Sequence, residues 1–236
     1  MGSIGSNLQE VKRRIEAAAA AAGRGAESVT LLAVSKTFPA EAVRAAHAAG
    51  QRAFGENYVQ EALAKIEALA DLRRELEWHL IGPLQSNKTR PVAEAFDWVH
   101  SVDRLKIAER LAEQRPALLP PLQLTLQVNV SGEASKSGVA PVDVPALAHA
   151  VAALPKERVR LRGLMAIPEP AGDLAAQRVP HRRLHELLDA LRAQGLALDT
   201  LSMGMSADLE AAVLEGATLV RIGSAVFGSR APLASR

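Results

Sequence analysis

The apolar residues of this chain fall into short, nearly continuous runs, and longer stretches with helical spacing separate these runs. Strands that are buried on both faces produce such runs, and two parallel strands need a crossover of a dozen or so residues between them. The pattern predicts eight strands, at residues 29–35, 52–56, 77–82, 97–102, 122–130, 159–167, 199–204 and 218–223.

The stretches between the strands carry signals for the ends of helices. In residues 39–50, PAEAVRAAHAAG, a proline stands near the start and a glycine follows the end, and in residues 141–155 the pattern stops at Pro155. Eight strand–helix units without a long linker predict an α/β fold, a single (β/α)8 TIM barrel with an extra N-terminal helix on its outside. We expect residues 1–236 to form one domain.

An open, doubly wound sheet is the alternative fold. That fold usually has a glycine-rich turn after its first strand. The turn here is SKTFPAE, residues 35–41, and it contains no glycine. The barrel is therefore favoured.

Composition narrows the classes of function. The chain has no cysteine, and its six histidines lack the spacing of a metal-binding motif, so we expect neither a disulfide nor a metal site. The net charge is +2 and the basic residues are interleaved with acidic ones, so we expect no nucleic acid partner. The sequence has no apolar run long enough to span a membrane and begins without a leader-like segment, which predicts no membrane partner and a cytoplasmic location.

Polar residues stand at the ends of the predicted strands, where a parallel barrel collects its reactive groups at one rim. Lys36 directly follows the apolar run LLAVS, in a chain whose 28 basic residues include only seven lysines. The other candidate binding residues are Asn57 after strand two, His79 on strand three, Met203 and Ser206 after strand seven, and Arg221, Gly223 and Ser224 at the end of strand eight.

The residues that follow strands seven and eight indicate a phosphate site, since barrels often hold phosphate there. Gly223 allows a ligand to approach the backbone closely, and Ser224 supplies a hydroxyl and an amide at an expected helix start. Ser206 has a comparable place after strand seven. The alternative is that both serines only cap helices, but their common position beside the gap between the two strand ends favours phosphate.

Lys36 and Arg221 suggest chemistry at the same rim. Apolar neighbours and a nearby guanidinium lower the pKa of a lysine and so supply the neutral amine that forms a Schiff base with an aldehyde. Arg221 shares one side of its strand with Gly223, and opposite a pyridine nitrogen it would donate a hydrogen bond without protonating the ring. The alternatives are a Lys36 that extends to water and an Arg221 that pairs with a carboxylate.

Seven motifs carry a resemblance to a known family: LLAVSKTFP, FGENYVQE, WHLIGPLQSNK, KSG, LRGLMAIP, LSMGMSADLEAA and VRIGSAVFG. Across residues 8–230 the chain resembles the pyridoxal phosphate homeostasis proteins, the YggS/PROSC family, whose fold is similar to the N-terminal barrel of alanine racemase. The family often has a basic residue at the place of Phe38, and some members have C-terminal lysines that the ending RAPLASR lacks.

The resemblance implies that the barrel holds pyridoxal 5'-phosphate (PLP) as an aldimine on Lys36. The phosphate would lie near Ser206, Gly223 and Ser224, and the ring nitrogen would face Arg221. The remaining expected contacts are Asn57 and His79 at the rim and Met203 after strand seven. The implied role is vitamin B6 homeostasis without strong catalysis, in a monomer that passes the cofactor to apo forms of PLP-dependent enzymes.

Two enzymatic functions compete with this role. A racemase with the same barrel needs an acid/base group on each face of the substrate carbon, and the only tyrosine of this chain is Tyr58, so we expect no appreciable racemisation. A Schiff-base aldolase is supported by the phosphate corner alone. Such enzymes commonly carry their lysine on a later strand.

Several polar residues allow both a structural and a functional interpretation. Asn57 could cap a helix with Glu61 facing solvent, or it could contact the ligand. Lys88 and Lys136 lie in polar loops, and Lys136 could attract phosphate above the mouth. His181 and His185 are four residues apart among arginines, which predicts a solvated helix face.

Overall fold

The computed structural model describes residues 2–132 and 137–228. Its eight strands pair in parallel in chain order and close into a barrel, which confirms the predicted fold. The strands are β1 (Thr30–Val34), β2 (Ala53–Glu56), β3 (Glu77–Leu80), β4 (Trp98–Val102), β5 (Leu122–Gln127), β6 (Val159–Met165), β7 (Thr200–Ser202) and β8 (Leu219–Ile222). Lys136 lies outside the described residues.

Helices alternate with these strands and surround them. The helices are α1 (Ile4–Ala21), α2 (Ala40–Ala48), α3 (Val59–Ala68), α4 (Thr89–Ala95), α5 (Leu105–Gln114), α6 (Val144–Ala152), α7 (Leu174–Ala193), α8 (Leu209–Leu214) and α9 (Ser224–Phe227). None of the helices in the described ranges is long and apolar enough to cross a membrane.

Six of the eight predicted strands extend beyond the observed ones at their carboxyl ends. The run predicted at 122–130 ends as a strand at Gln127, although Val130 beyond it is still buried. Likewise β6 ends at Met165 while Ala166 is 1% exposed. Apolar burial continues beneath the barrel mouth after the strand ladder has stopped, so an apolar run overestimates a strand at this end.

The first helix is the extra element that the sequence predicts, and it packs on the outside of the barrel. Its buried positions, Leu8, Val11, Ile15 and Ala18, recur at helical spacing and form one face. The side-chain amide of Asn7 donates to the carbonyl oxygen of Val226 at 2.9 Å, which fixes α1 against α9. The N-terminal helix thereby packs against the helix that follows the last strand.

The larger apolar core lies between the sheet and the helices, where Phe54, Trp78 and Phe96 are fully buried. Leu32, Ala53 and Leu219 form a smaller apolar cluster, and the last two are the first residues of β2 and β8. Side chains alternate between the two faces of each strand, so an inward residue is flanked by outward ones.

The helix that follows β6 corrects one sequence-based expectation. His181 on α7 is 1% exposed, and its Nε2 lies 2.9 Å from Oδ2 of Asp208. The prediction of a solvated face was therefore wrong for His181. The neighbouring His185 is partly exposed.

Candidate functional site

A cavity of about 360 Å³ opens at the carboxyl ends of the strands. Its lining brings together six of the eight predicted binding residues: Lys36, Asn57, Ser206, Arg221, Gly223 and Ser224. The apolar part of its wall includes Phe38, Ile81, Ile167 and Met205. A single pocket therefore presents an amine, a guanidinium and two hydroxyls among apolar side chains.

The other two predicted residues, His79 and Met203, are not part of this lining. Met203 is fully buried in the core between the sheet and the helices. His79 lies deeper in the barrel, where its Nδ1 is 2.9 Å from Nε2 of His100. The expected contacts of both residues with a cofactor have no support in the cavity geometry.

Arg221 is 4% exposed and is held by neutral acceptors. Its Nη1 donates to Oγ of Ser202 and its Nη2 donates to the carbonyl oxygen of Ala166, both at 2.8 Å. Burial lowers the pKa of Arg221 to about 10, so the guanidinium stays charged at neutral pH. Arg221 is therefore a fixed hydrogen-bond donor with a positive charge at the cavity wall.

Behind Arg221, polar side chains continue through the barrel interior. Nδ1 of His100 lies 2.8 Å from Oγ of Ser202, and Nε2 of His79 lies 2.7 Å from Oε1 of Glu77. Sequence reasoning missed His100 and Ser202. The available signal was a polar residue at an inward position of an otherwise apolar strand.

The two serines at the predicted phosphate corner do not cap helices. The N-cap residue of α9 is Gly223, which forms no side-chain cap hydrogen bond, and Ser224 is the first residue of that helix. The N-cap residue of α8 is Asp208, whose Oδ1 accepts from the backbone amide of Met205 at 2.7 Å. The capping alternative for Ser206 and Ser224 is therefore wrong, and both residues line the cavity.

The interpretation of Asn57 as a helix cap was wrong as well. Tyr58 is the N-cap residue of α3, and no side chain caps this helix. Asn57 lines the cavity, and its Oδ1 is buried without a hydrogen-bond partner among the described residues. A buried polar atom without a partner is uncommon in a native fold, which is consistent with a residue that completes its contacts with a ligand.

Glu61 does not simply face solvent, as the sequence suggested. Its Oε1 accepts from the backbone amide of Thr37 at 2.5 Å and lies 2.7 Å from Nζ of Lys65. Lys65 also pairs with the buried Glu56 at 2.7 Å. Sequence reasoning missed Lys65 and its contacts with Glu56 and Glu61, and these three residues together contact both residues that flank Lys36.

The donor set indicates what the cavity can bind. Hydroxyls and a guanidinium suit an anion, and an amine on an apolar wall suits a carbonyl compound. In the part of the chain that the structure describes, no group of three histidine or carboxylate side chains could hold a metal ion. The geometry fits a small ligand that combines an anionic group, a carbonyl group and an apolar ring.

Comparison with known proteins gives the relationships of the chain. Residues 6–231 match the family described as alanine racemase, N-terminal domain. A pyridoxal phosphate homeostasis protein of Pseudomonas aeruginosa is 67% identical over 230 residues, which are 98% of this chain and 97% of that protein.

Solved structures show the same barrel. PipY of Synechococcus elongatus PCC7942 with PLP bound is 40% identical and has a TM-score of 0.83, over 96% of this chain and 100% of that chain. An alanine racemase of Corynebacterium glutamicum has a TM-score of 0.62 at 20% identity, over 97% of this chain and 63% of that chain, and this likeness concerns the fold alone. Identity and coverage together show that the chain belongs to the pyridoxal phosphate homeostasis protein family, which has the barrel of the alanine racemase N-terminal domain.

Proposed function

We propose that this protein binds pyridoxal 5'-phosphate as a Schiff base on Lys36 and holds it for intracellular vitamin B6 homeostasis. The observation that carries the proposal is the shared cavity of Lys36, Arg221, Ser206 and Ser224. The relative from Synechococcus elongatus, which is described with PLP bound, supports it. We further propose that residues 1–236 act as one cofactor-binding domain.

Each group of the cavity has a part in this proposal. The cofactor supplies an aldehyde, which reacts with the neutral amine of Lys36 to form a carbon–nitrogen double bond, and the carbonyl oxygen leaves as water. The hydroxyls of Ser206 and Ser224 donate to the phosphate. Arg221 donates to the ring nitrogen and, because it keeps its own proton, leaves that nitrogen unprotonated.

The same arrangement argues against strong catalysis. An unprotonated ring withdraws electrons weakly from a bound amino acid. The cavity lining among the described residues has Lys36 and Arg221 as its ionisable side chains and contains no tyrosine, histidine or carboxylate. Tyr58, which could serve as a second acid/base, is 58% exposed outside the cavity. We therefore propose a non-catalytic protein rather than an amino-acid racemase.

Two measurements test binding and its site. Titration of the purified protein with PLP should produce a visible absorbance band, and borohydride reduction followed by peptide mapping should place the modification on Lys36. Lys36→Ala should lose the band, whereas the control Lys12→Ala, an exposed residue of α1, should keep it. Modification at another lysine, or a wild-type protein that stays colourless, would refute the proposal.

The role in delivery needs a different experiment. We propose that the protein acts in the cytoplasm as a monomer and passes PLP to apo forms of PLP-dependent enzymes by transient contact. The protein loaded with PLP should restore activity to an apo-enzyme faster than free PLP at the same concentration.

A separate experiment tests for racemase activity. In the presence of the protein, exchange of the α-hydrogen of alanine for deuterium should proceed at the rate that free PLP gives. Faster exchange would favour the racemase.

A further inference from the structure

Three charged side chains lie behind the turn that carries Lys36, and we refer to Glu56, Lys65 and Glu61 as the ion cluster. Glu56 is fully buried at the end of β2, and Lys65 on α3 is 6% exposed. Nζ of Lys65 lies 2.7 Å from Oε1 of Glu56 and 2.7 Å from Oε1 of Glu61. None of the three residues lines the cavity.

The ion cluster contacts the residue before Lys36 through two groups. Oγ of Ser35 donates to Oε1 of Glu56 at 2.6 Å. Nζ of Lys65 donates to the carbonyl oxygen of Ser35, also at 2.6 Å. Ser35 is itself fully buried, so its side chain and its backbone are both fixed.

The ion cluster also contacts the residue after Lys36. The backbone amide of Thr37 donates to Oε1 of Glu61 at 2.5 Å. Thr37 has a φ angle of +67°, a conformation that is unfavourable for a β-branched residue. Such a conformation persists only where surrounding contacts hold it, and the bond to Glu61 is one of these contacts.

Stability alone gives no reason for this arrangement. Buried ion pairs often contribute less than an apolar pair of similar size, because both charges lose their hydration. Burial raises the pKa of Glu56, and Lys65 opposes that rise. Oε2 of Glu56 is buried without a hydrogen-bond partner among the described residues, which adds to the cost.

Lys65 is not a second amine for the same chemistry. Nζ of Lys65 donates hydrogen bonds to the carbonyl oxygen of Ser35 and to Oε1 of Glu56, and it forms an ion pair with Glu61. These contacts hold the amine outside the lining of the cavity. Lys65 therefore acts through the residues that it contacts.

We propose that the ion cluster positions the Lys36 amine by fixing the backbone on both sides of it, with Lys65 as the central positioning residue. This inference rests on the proposed Schiff base at Lys36. Positioning affects a bond-forming step more than it affects binding, because a displacement of about 1 Å can slow a reaction about a hundredfold. Loss of the ion cluster should therefore slow formation of the covalent bond and leave the non-covalent binding of the phosphate and the ring unchanged.

Two ligands separate these effects. PLP reports covalent bond formation through its visible absorbance, and 4'-deoxypyridoxine 5'-phosphate, which has a methyl group in place of the aldehyde, reports non-covalent binding. The paired variant Glu56→Gln with Lys65→Met removes both buried charges, so no charge is left buried without its partner. Glu61→Gln changes a partly exposed residue and serves as a second variant that should fold.

We expect bond formation to slow at least tenfold in the paired variant and about threefold in Glu61→Gln. The affinity for the aldehyde-free analogue should stay within about twofold of wild type. The control Glu67→Gln, an exposed residue of the same helix, should match wild type in both measurements. Circular dichroism confirms that each variant is folded.

The outcomes are distinguishable. Wild-type rates in the folded variants would refute the positioning role and leave the proposed function intact. Equal losses for PLP and the analogue would show a general loss of the cavity, which would also refute it. A wild-type protein that forms no bond with PLP would refute the proposed function and this inference together.

Discussion

Nη1 of Arg221 donates a hydrogen bond to Oγ of Ser202 at 2.8 Å, and this contact begins a polar chain through the barrel. Burial, with the charges of His79 and Arg221, holds the pKa of His100 well below its ordinary value, so this imidazole is neutral at pH 7. The polar chain continues from Ser202 to His100, from His100 to His79 and from His79 to Glu77, with distances of 2.8, 2.9 and 2.7 Å between the paired atoms.

This series of polar side chains predicts a loss of stability when its central residue, His100, is replaced by an apolar one. His100→Leu should leave Ser202 and His79 each without one partner in the barrel interior. We expect the free energy of unfolding to fall by about 2–4 kcal/mol, because each unsatisfied buried polar group costs about 1–3 kcal/mol. Urea unfolding at pH 7 measures this. His100→Gln retains a donor and an acceptor, so its free energy of unfolding should fall less. Equal losses in the two variants would show that the hydrogen bonds of His100 do not stabilise the fold.

The phosphate corner predicts a change in ligand selectivity. If Ser206 and Ser224 donate to phosphate, replacing either by alanine should weaken PLP binding about tenfold or more, since a hydrogen bond to a charged group contributes about 1.5–3 kcal/mol. Binding of pyridoxal, which has no phosphate, should change little. Titrations of both ligands give the ratio. Equal losses for the two ligands would show that the serines do not recognise the phosphate. Ser6→Ala, at an exposed serine of α1, is the control.

Gly82 approaches the backbone of Asn57 so closely that a side chain cannot be added without movement. A Cβ atom at Gly82 would lie 2.2 Å from the carbonyl oxygen of Asn57. We expect Gly82→Ala to destabilise the protein by about 1–3 kcal/mol and to lower the affinity for PLP, because the displaced backbone belongs to a cavity residue. Gly172, where an added Cβ meets nothing within 4 Å, provides the control. A Gly82→Ala protein with wild-type melting and binding would contradict this.

The pattern of strands in the sequence was enough to predict both the barrel and much of the cavity. Each strand appears as a local apolar run, and in a closed parallel barrel the carboxyl ends of all strands meet at one rim. Knowing the ends of β1 and β8 was therefore enough to place Lys36 beside Arg221 and Ser224 in one pocket. This step needs the order of the strands but no side-chain coordinates.

Contacts between separate elements were beyond the reach of the sequence. Glu61 resembles a surface residue of α3, and its bond to the amide of Thr37 joins residues 24 positions apart. His181 resembles a solvated residue of α7, yet its partner Asp208 is 27 positions away. Local spacing reports which face of a helix is polar, and only the packed fold determines whether that face meets water or another charge.

The ion pair between Arg14 and Glu210 predicts how acid affects the attachment of α1. Arg14 donates to both carboxylate oxygens of Glu210 at 2.9 Å, and this hydrogen bonding holds the pKa of Glu210 below its ordinary value of 4.5. The unfolded chain therefore binds the proton more tightly than the folded one. The stabilisation is complete above the ordinary pKa and is lost as the pH falls through the lower, folded pKa.

Glu210→Gln should lower the free energy of unfolding by about 0.5–1 kcal/mol at neutral pH, and the difference from wild type should shrink in acid. Urea titrations across this range, with Glu16→Gln of α1 as the control, decide the matter: a difference that does not depend on pH would show that the charge of Glu210 contributes nothing.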